Sequence, residues 1–162
     1  MKDLLANDVR KQYEQCFATL KAIVEAFPED KWLVQHGDIY YIPSRIAYHL
    51  VVFIDRYIAG GFNDPDFASK LPFGNWMEAT AETLPDKAAF FKYYDQILAK
   101  AQPVLAALDD ANLISPIEPD RARMGTTQMA VHLYCMRELA AHTGELNKML
   151  IENGLDDIWI SR

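Results

Sequence analysis

The sequence is poor in the residues that support several common classes of protein. Of 162 residues, only 2 are cysteine, 7 are glycine and 8 are proline, which excludes a disulfide scaffold, a collagen-like chain and a low-complexity chain. Cys16 and Cys135 are far apart, so we expect two reduced thiols. No basic segment followed by an apolar one stands at the amino terminus. We therefore expect no signal peptide and a cytoplasmic protein.

Positive charge is also scarce. The 16 Lys and Arg residues are outnumbered by 23 Asp and Glu residues, and the formal net charge is −7. Because phosphate contacts require a basic surface, nucleic acid is not an expected partner. The most apolar run, residues 46–58, contains His49, Asp55 and Arg56 and is too short to span a bilayer, so we expect no membrane association.

Apolar residues are abundant, at 51% of the chain, and most of them recur at helical spacing. The pattern predicts four long amphipathic helices. The first covers residues 3–27 and ends at Pro28. The second covers residues 43–59 and ends at two glycines. The third follows Pro85 and is kinked or split at Pro103. The fourth begins at residues 125–127 and continues to about residues 153–154.

The segments between these helices show few signs of regular structure. Residues 62–85 are predicted to form a long loop with one short helix near residues 76–80, and residues 32–41 are the only strand candidate. No repeat or linker divides the chain. The sequence therefore predicts an all-α, four-helix bundle that forms one domain over residues 1–162.

Three residues stand out as candidates for a metal site. In the fourth helix His142 interrupts an apolar stripe, and Glu138 lies four residues earlier on the same face. His49 lies beside the apolar stripe of the second helix. If these two helices pack together, two imidazoles and one carboxylate meet in the core, which suffices to bind a divalent metal. On spacing alone, a hydrogen-bonded and purely structural histidine is the more common case.

Two segments around these residues carry a family resemblance. Residues 136–147, MRELAAHTGELN, contain a His followed by one residue and then Gly-Glu-Leu, and residues 42–50, IPSRIAYHL, contain the other His. Both resemble the ligand segments of the DinB-like family, the DNA-damage-inducible superfamily of metal-binding four-helix bundles. The resemblance implies His49 and His142 as ligands, with Glu138 where the family most often has His. It also implies a supporting role for Glu145.

The same resemblance implies a function. Relatives of this kind bind a divalent metal in a bundle pocket, so the expected cofactor is Zn, Ni, Mn or Fe. The expected function is a metal-dependent hydrolase, or a thiol-dependent transferase or isomerase, whose partner is a small molecule and in the second case a low-molecular-weight thiol. The alternative is a non-catalytic, stress-related bundle with a decayed metal site that binds a small ligand. The ligand types alone also suit an iron oxygenase.

Other polar residues have competing interpretations. His132 lies ten residues before His142, about 15 Å along a helix, and cannot share the same ion. His36 lies in a turn that could reach the site, and Cys135 is expected to be a buried thiol. Arg45 and Arg56 flank His49 along the second helix and could hold an anionic substrate or form ordinary salt bridges. Three tyrosines could line a pocket or pack in the core: Tyr40, Tyr41 and Tyr48.

A homodimer is expected from apolar residues outside the main helical stripes. These are Leu4, Leu5, Phe17 and Val24 in the first helix, and Phe91, Tyr93 and Leu105 in the third. An exposed apolar patch usually marks a contact surface, and twofold pairing is the commonest arrangement. In the alternative, these residues pack under the long connections 62–85 and 111–125.

Overall fold

Five α-helices account for most of the computed structural model, which describes residues 3–38 and 40–161 apart from the side chains of residues 120 and 122. The helices are α1 (Leu4–Ala26), α2 (Pro43–Tyr57), α3 (Lys87–Ala106), the short α4 (Asp110–Ile114) and α5 (Gln128–Glu152). Short 3-10 helices cover Gly61–Asn63, Phe67–Lys70 and Pro119–Met124. Within the described residues the only β-pairing is an isolated bridge. The all-α prediction is confirmed.

The ends of the long helices follow local chemistry. Pro43 is the first residue of α2, where its missing N–H has no helical partner to lose. The Asp86 carboxylate accepts a hydrogen bond of 2.7 Å from the Ala89 N–H and so caps α3. Beyond α5, Gly154 has a φ of +78°, the left-handed conformation that commonly terminates helices. These boundaries agree with those predicted from the sequence.

The four long helices pack around a continuous apolar core. Helix α2 contacts both α3 and α5, and α1 contacts α5 and α3 as well. Every residue from Pro43 to Ile54 is buried, because α2 is covered on more than one side. The expected contact between the second and the last helix is therefore present, and it places His49 against α5.

Two of the predicted local structures are wrong. Residues 32–41, the strand candidate, form turns and irregular structure in their described part. Residues 76–80 form a turn rather than a helix, because the Asn75 carboxamide accepts the Met77 N–H and the Arg45 guanidinium binds the carbonyls of Met77 and Ala79. Those carbonyls would otherwise accept helical hydrogen bonds.

Pro103 does not split α3 but lies inside its last turn. Helix α3 continues to Ala106, and α4 begins at Asp110 after the Asp109 side chain accepts the Asn112 N–H at 2.6 Å. Proline lacks only its own N–H, so the residues directly after it can still bond to carbonyls on either side of it. Pro103 is therefore accommodated in α3, and the helix ends three residues later, at Ala106.

The apolar residues that suggested a dimer surface lie mostly inside the chain. Phe17, Val24, Tyr93 and Leu105 are buried, and the Tyr93 ring packs against Phe73 of the connection between α2 and α3. The stripes of α1 and α3 are wide because each helix meets several neighbours. Of the seven residues, Leu4 and Leu5 are the ones with large exposed areas.

None of the helices in the described part of the chain is both long and apolar enough to cross a membrane.

Candidate metal centre

His49, Glu138 and His142 come together where α2 packs against α5. Their potential ligand atoms lie within 4.8 Å of one another. Atoms at the corners of such a triangle are within about 2.8 Å of one common point, whereas bonds to zinc are about 2.0–2.2 Å long. Side-chain adjustments of less than about 1 Å would complete the coordination. The three residues singled out in the sequence could therefore hold one metal ion.

His142 is oriented by a second carboxylate. Its Nδ1 lies 2.7 Å from Oε2 of Glu145, and its Nε2 lies 3.6 Å from Oε2 of Glu138. Because an ionised carboxylate only accepts hydrogen bonds, Nδ1 of His142 is the donor to Glu145, which leaves Nε2 as the nitrogen that can bind a metal. A histidine ligand normally donates its other N–H in this way, which fixes the ring for metal binding.

His49 is packed among aromatic rings in the core but has an unsatisfied nitrogen. Its ring centre lies 4.0 Å from that of Trp76 and 4.8 Å from that of His142, to which it is nearly perpendicular. Its Nδ1 is buried and has no hydrogen-bond partner among the described residues. An unpaired buried polar group costs about 1–3 kcal/mol. Such a nitrogen fits a ligand that the protein alone does not supply.

The electrostatic environment keeps His49 in the form that binds metal. Burial, with a smaller contribution from the neighbouring His142, lowers the pKa of His49 from 6.5 to about 4. The ring is therefore neutral at pH 7, and a metal ion does not have to displace a proton from it. Two neutral imidazoles and one carboxylate suit Zn, Ni, Mn or Fe and leave coordination positions open.

A small cavity adjoins the cluster. It has a volume of about 180 Å³ and is lined by both histidines, Glu145 and the aromatic rings of Trp76, Tyr40 and Tyr41. A wider cleft of about 610 Å³ also contacts Tyr41 and Glu145. The shared residues make the two spaces neighbours. The candidate site thus lies beside a space that can accept a small molecule.

The other histidines and the cysteines lie outside the cluster of His49, Glu138 and His142. His132 lies in the core, with its Nδ1 3.1 Å from the Tyr13 hydroxyl, and does not reach the cluster. His36 lines the wider cleft. Burial raises the pKa of the Cys135 thiol to about 12, so this thiol stays protonated and is not a nucleophile. Cys16 and Cys135 are both free, as expected.

Of the arginine and tyrosine candidates, some line the small cavity and others do not. Arg45 lines the small cavity, whereas Arg56 lies against the rings of Phe62 and Phe67 outside it. Tyr48 is buried and donates a hydrogen bond of 2.9 Å to the Gly74 carbonyl, which is a packing role.

Sequence reasoning did not identify Trp76 as a site residue. It belongs to the turn-rich connection between α2 and α3, and its ring reaches His49 only after that connection has folded over α2. A single tryptophan in a loop has no periodicity that could assign it to the site. Its proximity to His49 is visible only in the tertiary structure.

Comparisons with known proteins do not assign this chain to a family. No protein-family model, no curated protein and no solved structure matches it.

Proposed function

We propose that this protein is a divalent-metal-dependent enzyme built as a four-helix bundle of the DinB-like type. The observation that carries the proposal is the convergence of His49, Glu138 and His142, with His142 oriented by Glu145. Four long helices that surround a shared core support the bundle. The small cavity beside the cluster supports a small-molecule substrate.

The proposed chemistry is hydrolysis or thiol-dependent group transfer or isomerisation. A divalent ion at this position would lower the pKa of a bound water or thiol and so supply a nucleophile at neutral pH. The chain's own residues orient the two histidines that would hold the ion. Glu145 hydrogen-bonds to the His142 ring, and the ring of Trp76 packs against that of His49.

Metal analysis tests this proposal directly. Protein purified without a histidine tag is loaded with Zn, Ni, Mn or Fe, desalted and analysed by inductively coupled plasma mass spectrometry. We expect about one ion per chain in the wild type and none in His142→Ala. His36→Ala is the matched control, since His36 lies in the neighbouring cleft outside the cluster, and it should retain the metal. A wild type that retains none of these ions refutes the proposal.

A second candidate function is a non-catalytic small-ligand binder with a decayed metal site. The contact that favours it is the 3.6 Å approach of Glu138 to His142, because a protonated His142 can pair with both neighbouring carboxylates without any ion. The metal analysis separates the two functions. For a metal-binding wild type, turnover of ester or electrophilic substrates with and without added thiol then distinguishes a hydrolase from a transferase.

A further inference from the structure

Arg45 is a buried cation whose charge the described side chains do not neutralise. It lies one helical turn before His49 on α2, its side chain is 1% exposed, and it lines the same small cavity. Its guanidinium donates to the carbonyl oxygen of Met77 at 3.0 Å and to that of Ala79. No carboxylate lies within 4.0 Å of it among the side chains that the structure describes.

One nitrogen of this guanidinium has no hydrogen-bond partner among the described residues. The Nε–H is buried and has no hydrogen-bond partner in the described part of the chain. Burying an unpaired charge is costly unless an anion and hydrogen bonds compensate it. Two carbonyl dipoles compensate in part, but they supply no negative charge. The combination of a positive charge and an unused planar donor fits a carboxylate.

We propose that Arg45 receives the carboxylate of a small anionic substrate whose other end reaches His49, Glu138 and His142. This inference rests on the proposed function for the reacting end of the site.

The cavity restricts the size and shape of this acid. Its volume of about 180 Å³ corresponds to about six water molecules at about 30 Å³ each. That is room for a small organic acid, and a longer one would extend into the adjoining cleft of about 610 Å³. The rings of Trp76 and Tyr41 line the same space, so the body of the acid is expected to be apolar or aromatic.

The Tyr40 ring lies beside the Arg45 guanidinium, where it can affect the entry of a carboxylate. The Arg45 guanidinium carbon lies 5.6 Å from the centre of the Tyr40 ring, and Tyr40 is half exposed. Because Nε is buried, a carboxylate can reach it only if a side chain at the cavity moves, and the exposed Tyr40 ring beside the guanidinium is the candidate. Tyr40→Ala should therefore bind the acid at least as tightly as the wild type.

The test compares acids with their uncharged amides of nearly the same shape. Acetate, butyrate and benzoate are each titrated by calorimetry against acetamide, butyramide and benzamide. The protein is first treated with a chelator, so that no metal ion can attract the carboxylate. We expect the best acid to bind at least about tenfold more tightly than its amide, as one charge-assisted hydrogen bond would produce. Arg45→Gln should reduce this ratio to about one.

Controls separate a local effect from unfolding. Arg56→Gln, on the same helix but outside the cavity, should keep the wild-type ratio. If Arg45→Gln does not fold, Arg45→Lys replaces it and should lower the ratio, because lysine keeps the charge but not the planar fork. Equal binding of acid and amide by the wild type, or binding of neither at millimolar concentration, overturns the inference. An unchanged ratio in a folded Arg45 variant also overturns it.

The outcome is distinguishable from that of the metal analysis. If the protein prefers acids but retains no metal, the role of Arg45 as an anion site stands and the proposed metal-dependent function is refuted. A protein that binds metal but shows no preference for acids refutes the role of Arg45 alone.

Discussion

His132 is a buried histidine outside the metal centre, and its burial predicts a pH-dependent stability. Its side chain is 7% exposed, and its Nδ1 lies 3.1 Å from the Tyr13 hydroxyl. Burial lowers the pKa of His132 from 6.5 to about 4. The folded protein therefore keeps this ring neutral at pH values where the unfolded chain already binds a proton.

The sign and size of the effect follow from proton linkage. As the pH falls from 6.5 towards 4, the unfolded state takes up a proton that the folded state refuses, so the free energy of unfolding decreases. The pKa difference, at about 1.4 kcal/mol for each unit, corresponds to a loss of about 3 kcal/mol. The contribution is complete above pH 6.5 and has been lost by about pH 4. The pKa of His49 is shifted in the same direction.

Comparison of the wild type with His132→Asn isolates this contribution. Urea unfolding is followed by circular dichroism at several pH values between about 7 and about 4, and the difference in unfolding free energy between the two proteins is plotted. His49 and the carboxylates titrate in both proteins and cancel in the difference. We expect the advantage of the wild type to shrink by about 3 kcal/mol towards low pH. Parallel pH profiles for the two proteins would refute the reasoning.

Three further predictions concern the metal site and assembly. Glu145→Gln should weaken metal binding by about 10- to 100-fold in a chelator competition, because a neutral amide replaces the charged acceptor that orients His142. The exposed Glu152→Gln should not weaken it, and equal losses in both variants would contradict this role. Removing the metal should leave the helical circular dichroism unchanged, because the apolar core of a chain this long is enough to keep it folded. Unfolding on chelation would show instead that the metal has a structural role. We also predict a homodimer, for which the exposed Leu4 and Leu5 remain the support; a concentration-independent mass near 18.5 kDa in sedimentation equilibrium would exclude it.

The helices were predictable because their signals are local. Helical periodicity, Pro43 at the start of α2 and Gly154 after α5 act within a few residues of the chain. Residues 76–80 show where such reasoning fails. Their backbone carbonyls bind Arg45 from a distant helix, and this contact overrides the local preference for a helical turn.

The candidate site, too, was predictable from the sequence only in part. The sequence by itself determined that Glu138, His142 and Glu145 share one side of α5, because spacings of three and four residues place side chains on adjacent turns. Only the tertiary structure decided that His49 and Trp76 join them and that Arg45 is buried beside them without a carboxylate. These contacts depend on how α2, α5 and a long loop pack together. Packing brings together residues from distant parts of the chain, and no periodic pattern along one segment encodes it.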